Sequence, residues 1–236
     1  MLARILAMDD APLDVVRAPE KRLLTTCRDG AVLLCAMLRS SGVPARVRYG
    51  FAHLLYEPRQ ILHDHVVVEY WSGENWRIAD SRLSQAFRHR HGLNSLDPVN
   101  ISPQLFLSGG EIWKRVRNGE LPARALSAMR GNDQYGLWKA RNLHIYDLSS
   151  LSGVEPLLWD AWGVMLFQPQ GVPPQAPEQF EFLDMMADLA TVTPQDCDAL
   201  AGIFNAAEDM YAPDEIVSFS PVVGKSTIRL MRAEAA

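Results

Sequence analysis

Ala31, Leu34, Cys35 and Leu38 recur at helical spacing in TTCRDGAVLLCAMLRSSG and give that segment one apolar stripe. The pattern predicts a helix from about Cys27 to Ser40. Thr25 or Thr26 can cap it, Gly42 ends it, and Pro44 blocks its continuation. The period then changes. In ARVRYGFAHLLY, Arg46 and Arg48 fall on one face of an extended chain, Val47 and Tyr49 on the other. EPRQ reads as a loop, and HVVVEYW and WRIAD flank SGEN as the two arms of a β-hairpin. Helix, strand, loop, strand, turn and strand predict an α+β core, a helix packed on an antiparallel sheet.

Residues 1–20 read as a short helix or arm ending in a Pro-containing loop. Beyond residue 100 the patterns weaken. EIWKRVRNGE (111–120) reads as helical, and LWDAWG (158–163) as a segment packed on the core. QPQGVPPQAPE (168–178) is the linker or lid candidate. EQFEFLDMMADLAT and PQDCDALAGIFNAAEDMY read as two helices, the second with Thr193 as N-cap and Pro194 at its first position. The expected organisation is a core over residues 1–100 and a mixed, mostly helical region over 101–236 packed on it.

Composition narrows the function. A chain of 236 residues, 48% hydrophobic, can bury a substantial core. A net charge of −5 argues against non-specific binding to nucleic acid or an anionic membrane. No window approaches the ~18 to 20 apolar residues of a membrane span, and MLARILAMDDAP turns acidic too soon for a secretory leader. The uncharged run 161–177 is broken by Pro169, Pro173, Pro174 and Pro177. Cys27, Cys35 and Cys197 form no disulfide framework and no Cys-x-x-Cys knuckle, so a reducing cytoplasm is the expected compartment.

Three residues then carry a chemistry together. Cys27 opens the predicted helix, where the dipole and a neighbouring imidazolium would favour thiolate. Its bland alternative is a small core residue, the reading given to Cys35 in the apolar stripe and to Cys197 in a late helix. His65 and His63 share a face, and Asp64 points the other way. If Trp71 pairs with Trp76, Val67 lies opposite Asp80, and His65 sits diagonally from Asp80 on the same face. A one-residue slip would destroy this. His65 is therefore the preferred base and His63 a surface residue. Asp80 would accept the imidazole N–H and fix its tautomer, its alternative being an exposed turn aspartate. Glu69 shares the His65 face and could pair with Arg46 or Arg48.

CRDGAVLLCAMLRSSGVPARVRYGF, DHVVVEYW and ENWRIADSRL resemble the three core motifs of the transglutaminase-like superfamily of papain-fold proteins. The resemblance covers roughly residues 20–85, and its three motifs are specific in combination. The rest of the chain, through WDAWG, also looks similar to bacterial proteins that carry this domain as their main unit. The resemblance implies a papain-like core and a Cys27, His65, Asp80 triad. It implies acyl transfer or hydrolysis at an amide or ester through a thioester, with a backbone N–H at the helix start, that of Cys27, stabilising the oxyanion. The expected substrate is a peptide, protein or small amide or ester. No cofactor is expected, and nothing suggests the calcium sites of the animal transglutaminases. Two departures stand out. Only 26 residues precede Cys27, and SRLSQAFRHRHG replaces the usual proline-containing turn after Asp80.

Two other readings compete. Some members of the superfamily are silent binding modules for a protein or DNA. A metal-dependent hydrolase could use His63, Asp64 and His65, with Asp80 or His53 as a further ligand. RHRH (88–91) and EIWKRVRNGE could line an entrance for an acidic substrate, although a solvated charged face is the simpler reading. Trp113, Trp138, Trp159 and Trp162 read as packing residues, with a groove wall as the alternative.

Overall fold

A computed structural model of the chain describes residues 1–52, 62–126, 133–166, 177–192 and 197–230, the side chains of Gln134, Pro177, Thr191, Val192 and Cys197 excepted. The elements begin with α1 (Leu2–Met8), α2 (Cys27–Ser40), β1 (Ala45–Ala52), β2 (His63–Trp71) and β3 (Trp76–Ala79). Next come α3 (Gln85–Arg90), β4 (Phe106–Ser108), α4 (Gly109–Arg117) and α5 (Asp133–Leu151). The chain continues through β5 (Asp160–Ala161), α6 (Pro177–Val192), α7 (Cys197–Asn205), β6 (Glu215–Ser220) and β7 (Gly224–Arg229). Helices and antiparallel sheets together make the architecture α+β. No helix among the described residues is long and apolar enough to cross a membrane.

α2 starts at Cys27 because Thr26 and Asp29 close a capping box. Thr26 Oγ1 accepts the Asp29 N–H at 3.3 Å, and the Asp29 carboxylate accepts the Thr26 N–H at 3.1 Å. The helix buries Ala31 and Cys35 against the sheet. It ends at Gly42, whose φ of 78° lets the chain turn back so that the Val43 N–H reaches the Leu38 carbonyl.

The main sheet runs β3-β2-β1-β4, every pair antiparallel. Trp71 pairs with Trp76, and Arg46 with Glu69. β4 covers β1 only at Gly50–Ala52. Along the remainder of that side, α5 takes the place of a strand. Asp147 accepts the Tyr49 N–H at 2.9 Å, and Ser150 Oγ donates to the Val47 carbonyl at 2.9 Å. The Arg48 guanidinium bridges the two layers. Its Nε and Nη2 donate to Asp147 at 2.9 and 2.8 Å, and its Nη1 donates to Glu69 at 2.7 Å. Arg46 Nε also reaches Glu69, at 2.7 Å. All four side chains are largely removed from water.

One hydrophobic cluster runs from α2 and the main sheet through α4 and α5 to α6, α7 and β6. Two basic residues of α4 face acidic partners on α6. Arg117 meets Asp184 at 2.9 Å and Lys114 meets Asp188 at 2.6 Å. These two pairs tie one helix to another. In the RHRH segment, Arg88 braces its own loop through the carbonyls of Leu83 and Leu96.

The later half differs from the mostly helical expectation in one respect. β5, β6 and β7 form a second antiparallel sheet. In β6, Ile216 and Ser218 turn inward in strand alternation, and Gly224, at φ 83°, closes the turn into β7. The helix α5 is likewise an element without a counterpart in the hydrophobic pattern. The candidate cap Thr193, Pro194, and nearly all of the 168–178 segment lie outside the described residues.

Candidate active site

Cys27 occupies the first position of α2, half-buried, at the edge of a cavity of about 400 Å³. The capping box engages the N–H of Asp29 and leaves those of Cys27 and Arg28 without an acceptor among the described residues. Helix geometry aims such groups out of the helix start, toward the space before it. Cys35, two turns on, is 2% exposed in the core, and burial pushes its thiol up. The side chain of Cys197 lies outside the described residues.

β2 and β3 supply the other two groups. With Trp71 opposite Trp76, the same register carries Val67 level with Asp80 and leaves His65 one step diagonal on the same face. The His65 Nε2–Asp80 Oδ2 distance is 2.7 Å, with His65 2% and Asp80 6% exposed. The second oxygen of Asp80 accepts the backbone N–H of Arg82 at 2.9 Å. The SRL turn thereby orients the carboxylate although it lacks a proline. The Cys27 thiol lies close enough to the ring to favour its imidazolium form. Since Nε2 is committed to Asp80, Nδ1 is the nitrogen left for the thiol. Behind the pair, a void of about 20 Å³ is walled by the apolar side chains of Val67, Leu83, Leu96 and Ile101.

This setting raises the His65 pKa from 6.5 to about 9. Burial opposes the imidazolium, but the hydrogen bond with Asp80, and the Asp80 and Cys27 side chains beside the ring, outweigh it. The folded value lies above the unfolded one, so the stabilisation is complete below pH 6.5 and is lost as pH rises through 9. Unfolding free energy measured with urea is expected to fall between those values. The fall should be smaller by about 3 kcal/mol in His65→Gln. Equal pH slopes for the two proteins would contradict the raised pKa.

The cavity before Cys27 is lined by Thr25 and Thr26 at the helix start, and by Asp64, Ser81 and Arg82 from the strand ends. Asp64 turns to the opposite face from His65 and meets Lys139 of α5 at 3.1 Å. Leu158 and Trp159 form a further wall that the sequence patterns did not single out as a site, although Trp159 had the groove-wall alternative. Arg28, next to Cys27, donates to the Glu155 carbonyl, and Tyr49 Oη donates to the Pro156 carbonyl at 2.5 Å. The Phe219 N–H reaches the Trp159 carbonyl at 2.8 Å. The wall is thus tied to α2, β1 and β6, contacts that pair residues far apart in the chain.

His63 is half-buried at the start of β2, and His53 lies outside the described residues. Among the described residues, no three His, Cys, Asp or Glu side chains are grouped so as to hold a metal ion. Glu69 takes the structural part expected of it, between Arg46 and Arg48.

Residues 8–81 match the model of the transglutaminase-like superfamily. The resemblance carried by the three motifs therefore holds over that segment, which contains Cys27, His65 and Asp80. No match was found among curated proteins or among solved structures.

Proposed function

From the transglutaminase-like character of residues 8–81, we propose that the protein performs cysteine-dependent acyl transfer or hydrolysis at an amide or ester carbonyl. Cys27 is the nucleophile, His65 the acid and base, and Asp80 the orienter. The observation that supports this reading is the buried His65–Asp80 pair beside Cys27, with the thiol at the edge of an open cavity.

The chemistry follows from the groups present. The Cys27 thiolate attacks the carbonyl carbon and forms the C–S bond. The backbone N–H groups of Cys27 and Arg28, at the open start of α2, supply the donors for the developing oxyanion. The tetrahedral intermediate collapses, the C–N or C–O bond breaks, and imidazolium His65 gives its proton to the leaving amine or alcohol. A thioester remains. Neutral His65 then takes a proton from water or from a second amine as that group attacks, and Cys27 departs as thiolate. Asp80 holds the ring and stabilises each imidazolium form. Water gives a free acid, and an amine gives a new amide.

The test is a brief, limiting iodoacetamide pulse near neutral pH, followed by intact-protein mass spectrometry and peptide mapping. Cys27 should be labelled ahead of Cys35 and Cys197, and the selectivity should vanish in His65→Ala. Slow or indiscriminate labelling would turn the reading toward a silent binding module.

A further inference from the structure

A second cavity, of about 310 Å³, lies on the other side of Leu158 and Trp159. Both residues line this cavity and also the one in front of Cys27, so the two spaces share a wall. The second cavity is built for rings. Tyr135 and Trp138 stack along one side, centroids 5.3 Å apart at 29°. Tyr146 and Met165 make the inner surface. Phe219 stands 41% exposed on another side, a large apolar side chain that a ligand would cover.

The polar features are few. Asn142, 4% exposed, offers an uncharged amide. The Asp160 carboxylate is already engaged by Ser218 Oγ at 2.7 Å and by the Leu157 N–H at 2.8 Å. No lysine or arginine lines the cavity among the described residues. Such a chamber favours an uncharged apolar group over an acid or a cation. The shared wall is held at Glu155, Pro156 and Trp159 by Arg28, Tyr49 and Phe219, so the chamber is pre-formed.

We propose that this cavity receives an aromatic or bulky branched apolar side chain of the acyl donor, on the same molecule as the carbonyl that Cys27 attacks. The assignment rests on the function proposed above. Proton delivery by His65 keeps the leaving group on the side of His65 and Asp80, where Ser81 and Arg82 line the cavity. The acyl portion then meets the remaining wall, Leu158 and Trp159, with the ring chamber behind it.

Two readouts separate this proposal from the one beneath it. The first is binding to full-length Cys27→Ala protein, followed by saturation-transfer NMR, with N-acetylphenylalaninamide and N-acetylalaninamide as probes. The phenylalanine probe should bind about tenfold more tightly. The preference should be lost on filling the chamber with Ala161→Phe, and reduced by Trp138→Leu should the first variant not fold. The second readout is turnover of the 4-nitrophenyl esters of N-acetylphenylalanine and N-acetylalanine, whose kcat/KM values should differ by about tenfold or more. Equal binding of the two amides, or a preference that survives both substitutions, overturns the chamber's role. Turnover without preference does the same. A binding preference without turnover of either ester leaves the chamber standing and defeats the acyl-transfer reading.

Discussion

Alanine at Cys27 is expected to abolish acyl-enzyme formation, a loss of roughly 10⁴- to 10⁶-fold in turnover, while the protein stays folded. The size of the loss follows from the arrangement of the site. His65 has one ring nitrogen on Asp80 and lies beside Cys27, so removing the sulfur leaves the imidazole with nothing to activate. Stability should change little. Cys27 is only half-buried, and the capping box that starts α2 belongs to Thr26 and Asp29. Mass spectrometry after exposure to an activated ester should show one acyl adduct on the native protein, on the Cys27 peptide, and none on the variant. Retained turnover, or an adduct at Cys35, would sink the mechanism.

Asp147→Ala should produce the largest loss of stability, about 3–5 kcal/mol, the usual consequence of removing one partner of a buried ion pair. Asp147 is 0% exposed and holds both Arg48 and the Tyr49 N–H. Its removal leaves a buried guanidinium with only Glu69, and an unsatisfied backbone donor on the side of β1 that α5 closes. Against a typical total of about 5–15 kcal/mol, that is a large fraction. Urea unfolding of the two proteins at pH 7 measures it. Replacing the pair together, Arg48→Met with Asp147→Leu, should recover much of the loss, because two apolar side chains carry no desolvation cost. A loss below about 1 kcal/mol for Asp147→Ala would show that the pair lies in water.

The parts of the molecule legible in the sequence are those whose partners lie nearby in the chain. α2 has one wet face and one dry face, so its stripe of Ala31 and Cys35 stands out. The β2–β3 hairpin has a short turn, so pairing Trp71 with Trp76 fixes where His65 and Asp80 fall. α5 is the opposite case. Residues Ala140 to Ser150 are buried on every side, polar and apolar alike, so no stripe exists to be read. Arg141, Asn142, His144 and Asp147 would suggest a solvated surface to anyone who could not see their surroundings. The same holds for Lys114 and Arg117, whose meaning depends on Asp188 and Asp184 of α6. The β6–β7 hairpin did carry a signal, the inward alternation of Ile216 and Ser218 and the glycine at 224, but it is short and amphipathic only on β6. At the cavity wall Leu158 carried no signal and Trp159 only the alternative of a groove wall, because nothing local distinguishes a lining residue from a packing one.

The closure of β1 by α5 also sets a timetable. Arg48 and Asp147 are separated by 99 positions. A ribosome delivers Cys27, His65 and Asp80 well before it delivers the helix that finishes the strand beside them. Until the stretch through Ser150 has emerged, the Val47 carbonyl and the Tyr49 amide have only water for company, and Arg48 lacks its main counter-charge. The strand beside the His65-bearing one is therefore finished only when the second half of the protein docks, which couples the closing of the sheet to the completion of folding.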